Sequence, residues 1–203
     1  MPFKKLIPSL KTALTRLGFE APLPFQQQIL SKIKGGANVF GIAPEGSGKT
    51  TAMIISVIQK LKGMEVDDSP RAIIFVKDKK AALLLKEKFD EFTFRTSLRV
   101  YCLYDEYRID FQKEDIYYGT DVVITTSSRL TKLYNMNGIH LGELQLFIVA
   151  NASVLDKRSN LPEINRITES IDKCQYLVFN DVMDAKTERF KNSFMKNSQT
   201  VTL

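Results

Sequence analysis

From residue 39 to residue 50 the sequence reads Val39-Phe40-Gly41-Ile42-Ala43-Pro44-Glu45-Gly46-Ser47-Gly48-Lys49-Thr50. The first four residues predict a buried strand, and the apolar spacing that follows predicts a helix over Lys49–Leu61. Between them, Gly46 and Gly48 allow backbone angles that turn amide groups inward, toward an anion. A strand, a glycine-rich turn and a helix N-terminus together predict a phosphate-binding loop, or P-loop.

The residues of this loop have distinct predicted roles. Lys49 would reach the terminal phosphates of a nucleotide, and Thr50 would offer its hydroxyl to Mg²⁺. The backbone of Glu45–Gly48 would surround the phosphates. The alternative is a turn that binds nothing, and the strand and helix on either side weigh against it.

A second candidate lies upstream, in the segment Gly18–Gln26. A glutamine amide both donates and accepts hydrogen bonds, which is what recognition of an adenine edge requires. Gln26 alone is weak evidence, and a polar loop explains it better. Beside a P-loop, it predicts an adenine contact.

The rest of the chain alternates short apolar runs with helical stretches, a pattern typical of a parallel sheet with helices on both faces. The predicted strands are Val39–Ile42, Ala72–Val76, Val100–Leu103, Val122–Thr125, Leu144–Val149 and Tyr176–Phe179. The predicted helices after Lys49–Leu61 are Lys79–Phe92 and Pro162–Ile171, with a loop at Glu65–Pro70 and a helix ending in a short strand over Lys186–Leu203. We expect one α/β domain over residues 1–203.

Composition excludes several classes of protein. The chain is 44% hydrophobic and 26% charged, and no apolar run approaches the roughly 18 residues of a membrane span. The N-terminus lacks the apolar core of a secretory signal, so we expect a cytoplasmic protein, with the nucleus also open. Cys102 and Cys174 have no metal-ligand spacing and are expected to be reduced, and His140 is expected to be a surface loop residue. The net charge of +6 weakly favours a polyanionic partner.

With the P-loop and Gln26 in view, essentially the whole chain resembles the N-terminal RecA-like domain of DEAD-box RNA helicases. Gly18–Gln26 looks like the adenine-reading Q motif of that family, which implies contacts from Phe19 and Gln26, and Ala43–Thr50 matches its P-loop. The resemblance implies a RecA-like fold that binds ATP, Mg²⁺ and RNA, together with protein partners. It also implies a second RecA-like domain, for which 203 residues leave no room, so we expect this chain to be part of a longer protein.

The RNA-contacting motifs of the family are only partly present. Its Pro-Thr-Arg-Glu-Leu-Ala motif corresponds to Lys77–Ala82, where Lys79 keeps a positive charge. Its Thr-Pro-Gly-Arg motif aligns with Thr126-Ser127-Ser128-Arg129, which keeps the threonine and the arginine. The resemblance therefore implies that Lys79, Thr126 and Arg129 lie near RNA phosphates. The alternative for the last two is a helix cap followed by a surface arginine.

Other charges near these motifs are ambiguous. The Gly-Gly turn of the family falls at about Asp105-Glu106, where two carboxylates would repel an RNA backbone. A group of lysines forms either part of an RNA-facing edge or a solvated helix face: Lys77, Lys79, Lys80, Lys86 and Lys88.

The largest departure from the family is at its Asp-Glu-Ala-Asp motif, which aligns with Ala150-Asn151-Ala152-Ser153. In that motif the first carboxylate organises Mg²⁺, and the glutamate positions and helps deprotonate the attacking water. Alanine can do neither, and Asn151 can hydrogen-bond a water but cannot accept its proton. We therefore expect no catalytic residue at Ala150, Asn151 or Ser153, and a weakened hold on Mg²⁺.

The Ser-Ala-Thr motif of the family is also missing, because Asn180-Asp181-Val182 takes its place. Asp156 and Asp181 both follow strands and are the two candidates to replace the lost acid. Asp156 lies well beyond the expected position, and Asp181 belongs to a different strand end. We expect neither to replace the acid.

Several functions remain compatible with these residues. The first is a nucleotide- and RNA-binding domain that hydrolyses ATP poorly or not at all and acts as a clamp or scaffold. The second is an active ATP-dependent RNA helicase when joined to its second domain, and the third is a protein-interaction module that has lost nucleotide binding. An unrelated P-loop kinase would need a lid and a second substrate site, which the sequence does not suggest.

An intact P-loop beside a lost acidic motif favours the first of these functions. The pattern of lost motifs is also similar to the helicase-like domain of some Tudor-domain proteins of germline small-RNA pathways.

Overall fold

The computed structural model describes residue 3 and residues 5–152, 160–171, 173–195 and 197–203. The helices in these ranges are α1 (Pro8–Arg16), α2 (Pro24–Lys34), α3 (Lys49–Lys60), α4 (Lys79–Thr93), α5 (Ile109–Tyr117), α6 (Ser127–Asn135), α7 (Asn160–Glu169) and α8 (Ala185–Phe194). The strands are β1 (Val39–Ile42), β2 (Ala72–Phe75), β3 (Val100–Leu103), β4 (Val122–Thr125), β5 (Leu146–Val149), β6 (Gln175–Asn180) and β7 (Gln199–Thr202).

These strands form one parallel sheet in the order β3-β4-β2-β5-β6-β1-β7. In its registers, Phe40 of β1 lies beside Val178 of β6 on one side and Thr200 of β7 on the other. Since all the strands run the same way, their carboxyl ends meet at a single edge, where open α/β sheets bind their ligands. The predicted α/β fold is confirmed.

Two apolar cores cover the two faces of this sheet. Along β2, Ala72 and Ile74 belong to one core and Ile73 and Phe75 to the other, because successive strand side chains point to opposite faces. Buried residues of α1 to α4 pack in the first core, and those of α5 to α8 pack in the second. Both faces of the central strands are therefore dry, which explains why β2 and β5 are apolar at every position rather than alternating.

A close approach between α2 and β1 fixes the surroundings of the P-loop. A Cβ at Gly41 would lie 2.7 Å from Ile29 Cδ1 and 2.9 Å from Phe25 Cζ. The absence of a side chain at Gly41 lets α2 pack directly on β1. Gln26, which is on the first turn of α2, is thereby held next to the loop that follows β1.

A buried carboxylate joins the amino ends of β2, β3 and β4. Asp121, which is fully buried, lies 2.6 Å from Arg71 Nη2 and 3.0 Å from Arg99 Nε. It also accepts the backbone N–H of Arg99 at 2.9 Å. Burial alone would raise the pKa of Asp121, but the hydrogen bonds from Arg99 and Arg71 hold it below its ordinary value. Each charge is therefore paired inside the protein.

The predicted strands agree with the structure to within two residues at each end. β5 begins at Leu146 rather than Leu144 because the preceding residues form a turn, and the Glu65–Pro70 loop and the helix and strand within Lys186–Leu203 are confirmed. Four of the described helices were not predicted from the sequence, namely α1, α2, α5 and α6. The start of α2 at Pro24 lies inside the segment that looked like a loop, and a proline in the first turn is compatible with a helix.

The cysteine and histidine predictions also agree with the structure. Cys102 and Cys174 are both free, and burial raises the pKa of Cys102 to about 11. His140 is exposed in a loop. None of the described helices combines the length and the apolar character that crossing a membrane requires.

Candidate nucleotide site

The loop between β1 and α3 adopts the backbone expected of a P-loop. Gly46 and Gly48 have φ angles of +82° and +83°, in the left-handed region that glycine tolerates. Gly48 is also the N-cap of α3, so the positive end of that helix dipole points at the loop. The local geometry predicted for an anion cradle is therefore present.

Lys49 is held inside this loop by contacts within the protein. Its ammonium lies 2.5 Å from the carbonyl oxygen of Ala43, 2.7 Å from that of Pro44 and 2.9 Å from Asp181 Oδ1. An ammonium has three N–H donors, so these contacts take up its full capacity. Any phosphate that binds Lys49 must displace some of them.

Asp181 is the acidic partner of Lys49, although its position after a different strand did not predict this contact. It follows β6 directly, and β6 lies between β5 and β1, so Asp181 emerges beside the P-loop. Its second oxygen accepts a hydrogen bond from Asn151 Nδ2 at 3.0 Å. The hydrogen bond from Lys49 lowers the pKa of Asp181, so this half-exposed carboxylate is charged at neutral pH.

The positions of the family's acidic motif lie at the end of β5. Ala150 packs on the core, and Asn151 contacts Asp181 as described. Ser153 and Asp156 lie outside the described residues. Within the part of the chain that the structure describes, no three His, Cys, Asp or Glu side chains cluster as metal ligands would.

Two hydroxyls belong to the same loop. Thr50 is the second residue of α3 and is partly buried. Ser47 Oγ is buried and has no hydrogen-bond partner among the described residues. Because an unpaired buried hydroxyl is unfavourable, Ser47 marks a place where a polar ligand atom fits.

Gln26 connects α2 to the P-loop. Its side-chain oxygen accepts the N–H of Leu23 at 2.9 Å, and its Nε2 donates to the carbonyl oxygen of Gly48 at 3.2 Å. The residue is almost fully buried. Phe19, the other predicted adenine contact, is half-buried with its ring 5.9 Å from that of Phe92. Adenine recognition by these two residues stays a prediction.

The predicted RNA residues lie at the same edge of the sheet, on the other side of β5. Thr126 caps α6 by accepting the N–H of Arg129, as the helix-cap alternative proposed. The other half of that alternative, a surface arginine, is wrong because the Arg129 side chain is only 6% exposed. Its guanidinium donates to the carbonyl oxygens of Asp105 and Tyr107 at 2.6 and 3.0 Å.

Asp105 forms ion pairs with two basic side chains of this region. It lies 2.8 Å from Lys132 Nζ and 3.7 Å from Arg129 Nε, and it accepts a hydrogen bond from Ser128. Burial would raise the pKa of Asp105, but the hydrogen bonds from Lys132 and Ser128 lower it. Lys79 is separate from this cluster, with its ammonium 4.8 Å from the centre of the Tyr104 ring.

Comparison with known proteins agrees with this geometry. The profile of the DEAD/DEAH box helicase family matches residues 23–189. The chain is 29% identical over 209 residues to the pre-mRNA-processing ATP-dependent RNA helicase PRP5 of Meyerozyma guilliermondii, covering 96% of this chain and 24% of that protein. It is 26% identical over 201 residues to the ATP-dependent rRNA helicase RRP3 of Scheffersomyces stipitis, covering 98% of this chain and 41% of the relative.

Solved structures show the same fold. A DEAD box protein from Methanococcus jannaschii superposes with a TM-score of 0.87 at 19% identity, covering 98% of this chain and 54% of that one. S. cerevisiae Dbp5, solved with Nup159, Gle1, IP6 and ADP, superposes with a TM-score of 0.85 at 19% identity, covering 98% and 52%. The chain thus spans about half of the solved proteins and less than half of the curated relatives.

Proposed function

Because this chain belongs to the DEAD/DEAH box helicase family, we propose that it binds ATP and RNA, is deficient in ATP hydrolysis, and acts as an RNA-binding clamp or scaffold. One observation supports this most. The P-loop keeps Lys49 and Thr50 on an intact cradle, whereas the positions of the catalytic acid and base are Ala150 and Asn151. Binding requires the cradle, but hydrolysis requires the carboxylates as well.

Nucleotide binding is supported by what the cradle offers an anion. The N-terminus of α3 presents the backbone N–H groups of its first turn, where Gly48 makes no side-chain cap, and the positive end of its dipole. Ser47 supplies a buried hydroxyl that bonds to none of the described residues, and a phosphate oxygen would satisfy it. Dbp5, which has the same fold, was solved with ADP. These features favour a nucleotide over a loop that binds nothing.

The residues of the loop also fit a phosphate-bound Mg²⁺. Thr50 would hold it together with phosphate oxygens, and the ion would neutralise negative charge on the phosphates. Proteins commonly bind Mg²⁺ through one or two side chains plus substrate phosphates, so a dedicated cluster of ligands is not needed.

Deficient hydrolysis follows from the chemistry of the replaced residues. Loss of a general base typically costs about 10²–10⁴ in rate. Asn151 can orient a water through its carbonyl oxygen, but it cannot take the proton. Its amide nitrogen is directed at Asp181. The nucleotide would therefore remain bound as ATP, and a long-lived ATP state suits a clamp.

The runner-up function is an active helicase in which a second RecA-like domain restores the chemistry. The names of PRP5 and RRP3 describe ATP-dependent helicases, and both proteins are much longer than this chain. The third candidate, an interaction module without nucleotide, is disfavoured by the preserved geometry of the loop.

The proposal extends to partners and location. We expect a second RecA-like domain in the full-length protein, RNA at the edge formed by Lys79 and α6, protein partners, and a cytoplasmic location. The narrower likeness to germline Tudor-domain proteins stays a prediction, and finding a Tudor domain elsewhere in the full-length sequence would test it.

Phosphate release from ATP by the full-length protein tests the hydrolytic part of the proposal. We expect the rate, with saturating RNA, to equal that of the Lys49→Ala variant. The full-length protein is required because an arginine supplied from outside this domain stabilises the transition state in such reactions. Release well above the Lys49→Ala level would contradict the proposal and favour the active helicase. Ala150→Asp combined with Asn151→Glu is the matched gain-of-function variant.

A further inference from the structure

The acid that the family places after β5 has a structural counterpart after β6. Ala150 leaves the end of β5 without a carboxylate, while Asp181 lies 2.9 Å from Lys49 and 3.0 Å from Asn151. Since β6 is the strand adjacent to β1, Asp181 reaches the P-loop from a shorter lateral distance than a residue after β5 would. Because Lys49 is the residue predicted to bind the phosphates, this carboxylate lies beside the place where they and their counter-ion would bind.

We propose that Asp181 supplies the carboxylate that organises Mg²⁺ in the nucleotide site, in place of the acid missing at Ala150. This inference rests on the proposed nucleotide binding and specifies which residue of this chain makes that binding dependent on a divalent cation.

The charge balance of the site provides the first argument. With the loop in its present state, Asp181 and Lys49 neutralise each other. A bound triphosphate would draw Lys49 to its own oxygens and leave Asp181 facing a multiply charged anion. Like charges this close repel each other strongly outside bulk water. A divalent cation between the carboxylate and the phosphates converts that repulsion into two attractions.

The contacts that orient the Asp181 carboxylate provide the second argument. Asn151 donates to the carboxylate oxygen that Lys49 does not contact, so both oxygens have a partner and the group is oriented toward the loop. Half of the Asp181 side-chain surface is exposed, which leaves room for an ion and its waters. Asn151, at the position of the lost base, thus acts as a positioning residue for the replacement acid.

A different role for Asp181 would be a latch that only keeps Lys49 away from phosphate. The two roles have opposite consequences. Removing a latch strengthens nucleotide binding equally with and without Mg²⁺. Removing a metal-organising acid weakens binding in Mg²⁺ and leaves binding in EDTA unchanged or stronger, because a repelling charge is gone.

The test is titration of a fluorescent non-hydrolysable ATP analogue into the protein, in Mg²⁺ and in EDTA, for the wild type and Asp181→Asn. The matched control is Asp90→Asn, which breaks a comparable exposed Lys–Asp pair on α4. We expect Asp181→Asn to lose on the order of tenfold in affinity in Mg²⁺, the lower end of the cost of disturbing a metal site. Asp181→Glu, which keeps the charge, should retain the preference for Mg²⁺.

A second readout follows the ion itself. With Mn²⁺ in place of Mg²⁺, electron paramagnetic resonance should show less protein-bound Mn²⁺ in the presence of the analogue for Asp181→Asn than for the wild type. An unchanged ratio of the affinities in Mg²⁺ and EDTA in Asp181→Asn would overturn the inference while leaving nucleotide binding intact. Absence of analogue binding by the wild type in either condition would overturn the proposed function itself.

Discussion

At the scale of single residues, the contacts of Asp105 affect the interpretation of Thr126 and Arg129, which resemble an RNA-binding motif. Its carboxylate pairs with Arg129 and Lys132, two basic side chains of α6 beside the predicted RNA contacts. Arg129 is further held by two backbone carbonyls, so its first role is to join the loop after β3 to α6. The negative charge of Asp105, which was predicted to repel an RNA backbone, is therefore partly neutralised within the protein. Lys132 is occupied by this pairing.

Asp105→Asn should strengthen binding to a labelled single-stranded RNA, because it releases Lys132 for a phosphate. The gain should reach up to about fivefold, matching the roughly 1 kcal/mol upper value of an exposed charge pair. The logarithmic salt dependence should steepen by about 0.7, as expected for one more phosphate contact on a single strand. Fluorescence anisotropy at several salt concentrations measures both quantities.

Glu106→Gln is the matched control for this prediction. It removes the same charge from the next residue, which is exposed, without releasing Lys132. A gain in RNA affinity from Glu106→Gln as large as that from Asp105→Asn would show a general charge effect and contradict the specific role of Asp105.

At the scale of elements, the strands were predictable from sequence, whereas half of the helices in the described residues were not. A strand buried on both faces needs an unbroken apolar run, and runs such as Ala72–Phe75 have no competing interpretation. α2 and α6 start with residues that also suit loops, namely Pro24 and Ser127. Their helical state depends on packing against β1 and the second core, which local sequence does not encode.

The pairing of Asp121 with Arg71 and Arg99 is an element-scale contact that sequence analysis did not detect. It joins three strands through residues far apart in the chain. Asp121→Asn should lower the free energy of unfolding at neutral pH by about 3 kcal/mol, because it leaves the buried Arg71 without its countercharge. Urea denaturation measures the change, and Asp90→Asn at the protein surface should cost less than about 1 kcal/mol.

The same pairing predicts how stability depends on pH. The pKa of Asp121 is lower in the folded protein than its ordinary value of about 3.9, so its contribution is complete above that pH. The contribution is lost as the pH falls through the folded pKa. The difference in unfolding free energy between wild type and Asp121→Asn should therefore shrink in acid; a difference that stays constant down to about pH 2 would contradict the pairing.

At the scale of the whole molecule, the order of the strands determines which chemical groups meet. The parallel sheet brings the ends of β1, β6 and β5 side by side, with the P-loop, Asp181 and Asn151 in adjacent positions. The candidate RNA residues follow β2 and β4, which lie beyond β5 at the same edge. Strands are about 4.8 Å apart, so β1 lies roughly 14 Å from β2 and roughly 19 Å from β4 across the sheet.

Strand order also explains what sequence analysis could and could not predict of the site. The P-loop is a continuous segment, so the backbone angles of its glycines were predicted correctly from sequence. The phosphate contact of Lys49 stays a prediction. Asp181 was undervalued because it is distant from Lys49 in the chain, and only the position of β6 next to β1 brings them together. Contacts between the ends of different strands can be predicted only when the order of the strands in the sheet is known.

The most direct test of the account is the equilibrium affinity of this chain for a fluorescent ATP analogue in Mg²⁺, compared between the wild type and Lys49→Ala. We predict binding by the wild type with a Kd in the micromolar range and a loss of at least about tenfold in Lys49→Ala, the equivalent of about 1.4 kcal/mol. Equal affinities, or binding by neither protein, would contradict the claim that the P-loop is a working nucleotide cradle and would favour an interaction module.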